Sequence, residues 1–206
     1  MAWKGWTLCA ARFAALIFFP VTALAGGAAL SKEAAAALGW IKRSSDHGAR
    51  PFAVVDKKGA QLHVFDSRGV LIGSSAALVG QTRGDLAAPD VGRNTALGHV
   101  PIEQRTTPAG RFMSSPGVNL TGEPIVWVDY HSAFAIHRLR PGASEAERAR
   151  RLATPSADDN RASLGCVVVP VAFYIQVVAR VLGNRAGVVY VLPEAGSLQD
   201  FAASAQ

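Results

Sequence analysis

Cysteine is nearly absent from this chain, with two in 206 residues, Cys9 and Cys166. That excludes a disulfide-stapled scaffold and a zinc ribbon, both of which need several thiols at close spacing. The five histidines (His47, His63, His99, His131, His137) show no i, i+4 pairing, so no metal centre is expected. Glycine-rich phosphate loops of the Walker or Rossmann kind are missing, and no nucleotide cofactor is expected. Lys and Arg are scattered rather than clustered with aromatics, which argues against a nucleic-acid partner. No internal repeat or long low-complexity linker divides the chain. The apolar run Phe13–Leu24 stops at about 12 residues where a spanning helix needs about 20.

That run belongs to a leader. Residues 1–25 combine a basic start (Lys4, with Arg12 further in), the apolar run and a closing Ala23-Leu24-Ala25, the pattern of a cleavable signal peptide. Cleavage after Ala25 gives an exported protein with no stable membrane insertion, and it removes Cys9. The leader carries two of the 21 basic residues and none of the 15 acids, so the balance of the remainder is +4. A mildly basic exported protein suits an anionic polymer such as cell wall.

Cys166 is then a solitary thiol in an oxidising compartment. It lies in Asn160-Arg161-Ala162-Ser163-Leu164-Gly165-Cys166-Val167-Val168-Val169-Pro170, where a tight turn should enter a buried strand. A cysteine beside three valines also fits a small buried hydrophobe; a lone exported thiol favours a reactive one. Glycine lets the backbone approach a ligand closely, and the Gly165 and Cys166 amides are candidate oxyanion donors. Upstream, Ala135-Ile136-His137 ends an apolar run on a histidine, a candidate base for the thiol.

About 180 residues remain, enough for one domain. Ser31 should cap a helix to about Arg43, within an N-terminal helix and linker over 26–50. A hairpin meander follows in Phe52–Val55, Gln61–Phe65 and Val70–Ser74, with His63 expected to face solvent. Gly80 to Arg105 reads as a long loop. Thr107-Pro108-Ala109-Gly110-Arg111-Phe112 should turn into a strand, with Ile125–Asp129 and Ala133–His137 as further strands. Ser144-Glu145-Ala146-Glu147 fits a capping box. Pro170 should open a helix to Leu182, with Val188–Leu192 as the final strand. The tail over 194–206 is expected to fray. The sum is a mostly β domain with peripheral helices (α+β) over 51–193.

These pieces resemble the L,D-transpeptidase (YkuD) family over roughly Phe52 to Leu192. The likeness lies in the meander, the Thr107–Phe112 stretch, the His137 strand and Ser163-Leu164-Gly165-Cys166. The family signature is a histidine followed downstream by Ser/Thr-His-Gly-Cys-x-Arg/Asn. Here Leu164 replaces the second histidine, Val168 the Arg/Asn, and Arg138 the glycine that often follows the first histidine. The resemblance implies a β-sandwich or barrel with a helix after the cysteine strand. It implies that Cys166 attacks the bond between the third residue of a peptidoglycan stem tetrapeptide and the D-alanine at position four, with His137 as base held by a backbone carbonyl. A stem amine, a D-amino acid, an outer-membrane lipoprotein lysine or water would resolve the thioester. Ser163, Asn160 and Arg161 become candidates to shape the pocket or hold a substrate carboxylate, against a purely structural turn role. The setting implied is the periplasm, or the cell wall where no outer membrane exists. Alternatives are an L,D-carboxypeptidase or amidase hydrolysing the same thioester, and a catalytically silent wall-binding module. Papain-like order (Cys before His) is reversed here, and sortases need a later-strand arginine that Arg180 and Arg185 do not match.

Overall fold

The structure, a computed structural model, describes Met1 and residues 29–195. The expected leader, Met1 apart, and the tail beyond Ala195 lie outside the described residues. Helix α1 (Lys32–Ser44) starts where the Ser31 hydroxyl accepts the Ala34 N–H at 3.0 Å. Glu33 in its first turn and Lys42 and Arg43 in its last complement the helix dipole. Its stripe of Ala34, Ala37 and Ile41 packs on Phe52, Val54, Phe65, Val188 and Tyr190. The segment expected as helix and linker is therefore an integral layer of the domain.

Strands β1 (Phe52–Asp56), β2 (Gln61–Phe65) and β3 (Leu71–Ala76) form the expected meander. With β4 (Val79–Gly80), β5 (Gly110–Val118), β6 (Pro124–Asp129), β7 (Phe134–Arg138), β8 (Arg161–Ser163), β9 (Val167–Val169) and β10 (Gly187–Val191), they complete the strand set of the described residues. Eight of them make one sheet in the order β3-β2-β1-β10-β5-β6-β7-β9. The long β5 bends it, because Gly110–Ser114 pairs with β10 whereas Ser115–Val118 pairs with β6. Leu78, just past β3, exchanges two hydrogen bonds with Val168 of β9 (2.7 and 2.9 Å), so the sheet closes nearly into a barrel. Beside it, β4 and β8 pair in parallel.

The barrel interior holds Ala53, Val55, Leu62, Val64, Val126, Ile136, Val167, Val169, Val189 and Val191. A helical run after β9, α4 (Val171–Phe173), a π-helical turn (Tyr174–Val178) and α5 (Ala179–Val181), inserts Tyr174, Val178 and Leu182 into that core. A smaller cluster of Leu78, Leu139, Leu152 and Val168 lies on the opposite face of β9, beneath α3 (Glu145–Ala153).

Four local expectations change. His63 is fully buried, not solvent-facing. Alternation along β2 assumed one wet face, but α1 covers the face where His63 lies opposite Val54. Ser144 makes no side-chain cap, its backbone lying at φ −101° and ψ 10° and not in the extended region a cap uses, and Glu147 pairs with Arg150 and Arg151. The loop after Gly80 contains α2 (Val91–Ala96) and a 3₁₀ turn at Ile102–Gln104. It folds against the β6–β7 turn, where a Cβ on Gly92 would lie 2.0 Å from the His131 carbonyl oxygen. Glu194, placed at the start of the tail, is anchored by ion pairs to Arg161 (2.6 Å) and Arg83 (3.2 Å). None of the helices among the described residues is long and apolar enough to cross a membrane.

Candidate active site

The turn between β8 and β9 is held by its own serine. Ser163 Oγ accepts the Gly165 N–H (3.1 Å) and donates to the Cys166 carbonyl (2.6 Å). Gly165 sits at φ +132°, a conformation that favours glycine, and a Cβ there would lie 3.0 Å from the Thr106 carbonyl oxygen. Thr107 donates its hydroxyl to Gly165 O at 2.7 Å. The turn thus delivers Cys166, half-buried, to the start of β9, with Sγ 3.5 Å from Ala133 O.

β7 and β9 run in parallel, pairing Ile136 with Val167 and His137 with Val168. Ile136, Val167 and Val169 face the barrel core, so His137 and Val168 face outward from it. Cys166 immediately precedes Val167, at the entry of β9 from the glycine turn. His137 thus lies on the strand paired with the one that Cys166 opens. His137 is 7% exposed, and its Nδ1 lies 2.8 Å from the Arg138 carbonyl oxygen. A carbonyl only accepts, so Nδ1 carries the hydrogen and the neutral ring keeps Nε2 as its basic nitrogen.

Burial first and then the Arg140 charge push His137 down to about 4, opposed by the backbone bond to Arg138, with Arg148 and Glu123 making smaller contributions of opposite sign. Burial pushes the Cys166 thiol up, opposed by a backbone hydrogen bond from Ala135 and by Arg140. At neutral pH Cys166 is therefore a thiol and His137 a neutral imidazole. Three arginines and one carboxylate lie nearby. Glu123 bonds Arg138 (2.6 Å) and Arg140 (3.2 Å), while Arg148 donates to the Arg140 carbonyl (3.1 Å). Charge next to the pair is thus in positive excess.

The other expected residues serve the turn. Asn160 is buried; its carbonyl accepts the Val79 N–H (3.0 Å), and its Oδ1 has no partner among the described residues. The Arg161 guanidinium is committed to Glu194 and to the Lys57 carbonyl (3.3 Å). Among the six residues expected at the site, His137 lies on β7 and Cys166 at the entry of β9, Gly165 and Ser163 form the turn before it, and Asn160 and Arg161 brace that turn.

Sequence reading missed two residues. Lys57 stands in the turn sequence Asp56-Lys57-Lys58-Gly59, which gives no sign of burial, yet its side chain is 1% exposed. Its ammonium bonds Asp85 (2.7 Å), Gly84 O (2.6 Å) and Thr107 O (2.9 Å). Thr107 lay inside a quoted motif, but nothing in the chain order told which group its hydroxyl would meet.

No family model matches the chain, and neither does any curated protein. Among solved structures, the NMR structure of the catalytic domain from E. faecium L,D-transpeptidase is similar at 17% identity. That match covers 70% of this chain and 98% of that one, with a TM-score of 0.39.

Proposed function

We propose that this chain is an exported, peptidoglycan-modifying cysteine acyltransferase acting on stem tetrapeptides. The observation that carries the reading is the parallel pairing of β7, which bears His137, with β9, which Cys166 opens, the imidazole fixed by Arg138 O so that Nε2 is left as the base. Sγ attacks the carbonyl that joins the third stem residue to the terminal D-alanine. As it does so, the thiol proton passes to Nε2 and an S–C bond forms. Collapse breaks the C–N bond, Nε2 gives its proton to the leaving D-alanine amine, and a thioester remains on Cys166. An incoming amine then loses a proton to Nε2, attacks the thioester and releases the thiol. That amine belongs to a neighbouring stem, a D-amino acid or a lipoprotein lysine; water in its place gives carboxypeptidase action.

Starting from neutral partners suits this sequence, because no charge pair must be separated when substrate displaces water. The positive excess from Arg140 and Arg148 favours an anionic stem peptide and the oxyanion that forms on it. The leader would direct the protein to the periplasm or cell wall. A silent wall-binding module is the second reading, favoured by the raised thiol pKa. Free D-alanine released from a disaccharide-tetrapeptide by the wild type, and lost in Cys166→Ala, is the result expected. A folded wild type that binds murein sacculi and releases no D-alanine would select the silent module.

A further inference from the structure

The acyl-transfer steps above use neither Thr107 nor Lys57, although both are buried beside the nucleophile's turn. Thr107 is 2% exposed, and its hydroxyl is bonded twice. It accepts the Gly80 N–H at 2.8 Å, which leaves its own hydrogen for Gly165 O at 2.7 Å. The Thr107 carbonyl in turn takes a hydrogen bond from Lys57 Nζ at 2.9 Å. Lys57 is itself fixed by Asp85 and Gly84 O, so the clamp has a rigid back.

Gly165 C=O and Cys166 N–H belong to one peptide group and, in the trans form, point in opposite directions. Tying the carbonyl to Thr107 therefore aims the Cys166 N–H away from Thr107. Ser163 Oγ already takes the Gly165 N–H, whereas among the described residues nothing accepts the Cys166 N–H. Of the two amides expected as oxyanion donors, the Cys166 amide is the one left available.

We propose that Thr107 is a positioning residue: its hydroxyl, backed by Lys57, orients the Gly165–Cys166 peptide so that the Cys166 N–H serves as oxyanion donor. The inference rests on the acyl-transfer reading and assigns this chain's own clamp for it. Thr107 touches no substrate; it acts through the peptide it holds.

The test compares two electrophiles on Cys166 in the full chain. p-Nitrophenyl acetate is attacked at a carbonyl: it develops an oxyanion, leaves an acetyl thioester and expels p-nitrophenolate. Iodoacetamide is attacked at a saturated carbon with loss of iodide, and no oxyanion forms. Thr107→Val keeps the shape and removes the hydroxyl. It should slow acetylation about 10- to 100-fold while leaving the alkylation rate and its pH profile within about twofold. Thr107→Ser, which retains the hydroxyl, should restore acetylation. Should Thr107→Val fail to fold, Thr107→Ala read against Thr107→Ser carries the same comparison. Equal slowing of both reactions, or of neither, overturns the proposal. A wild type that iodoacetamide alkylates but the ester never acylates overturns the acyl-transfer reading along with it.

Discussion

The molecule buries two histidines on strands, and they differ in what surrounds them. His63, in the middle of the meander, lies under α1 with its Nδ1 2.7 Å from the Ser74 hydroxyl. A hydroxyl both donates and accepts, so that contact does not choose a tautomer. His137 is held by a carbonyl, which does choose one, and Cys166 opens the strand that pairs with its own. Burial lowers the pKa of both rings. Desolvation alone therefore does not set the two rings apart; the partner that orients each one does.

Substituting the two histidines in parallel tests that contrast most sharply. His137→Gln should slow acylation of Cys166 by about 10²- to 10⁴-fold, the usual worth of a positioned general base. His63→Gln should leave the acylation rate within about twofold and lower stability by about 1–2 kcal/mol. Stopped-flow acylation and urea unfolding separate the two effects.

Lys57 links the two regions, since it leaves the end of β1 and reaches the loop behind Cys166. Lys57→Met strands the carbonyls of Gly84 and Thr107 and one side of Asp85. Breaking a buried pair from one side costs about 3–5 kcal/mol, and urea unfolding should show a loss in that range. A loss under about 1 kcal/mol, the scale of an exposed pair, would mean the network only decorates the loop.

A smaller effect follows from pH. His137 titrates near 4 in the folded chain, against about 6.5 unfolded. Between those values the unfolded chain binds a proton that the folded chain does not, so stability falls as pH drops from 6.5 to 4. The lowered pKa of His63 bends the curve the same way. The His137 share amounts to about 3 kcal/mol at 1.36 kcal/mol per unit. His137→Gln should flatten the slope, and His63→Gln should flatten the remainder. The acid limb of acylation should likewise lie near pH 4 and not near 6.5. The smallest effect belongs to the surface pair Arg83–Asp158, whose loss should cost under about 1 kcal/mol and vanish in high salt.

Much of this was legible in the sequence where the signal was local. Ser31 capped its helix, the meander strands fell where alternation placed them, and Gly165-Cys166 entered β9 through a glycine turn. What stayed hidden depended on the third dimension. His63 alternates like a surface residue, and only the docking of α1 buries it. Lys57 stands in what reads as an ordinary turn and Arg161 as a candidate for a substrate carboxylate, and only the return of Glu194 and the Asp85 loop shows the partners they have. Thr107 lies 58 residues from the carbonyl it holds, a distance no local pattern can bridge.

The central claim is that Cys166 carries an acyl group from a stem peptide with His137 as its base. Intact-protein mass spectrometry of the chain incubated with disaccharide-tetrapeptide tests it most directly, with Cys166→Ala and His137→Ala alongside. The account predicts an adduct on Cys166 equal in mass to the substrate less D-alanine, absent from Cys166→Ala and strongly reduced in His137→Ala. An unmodified wild-type mass, or an adduct that survives Cys166→Ala, would contradict it.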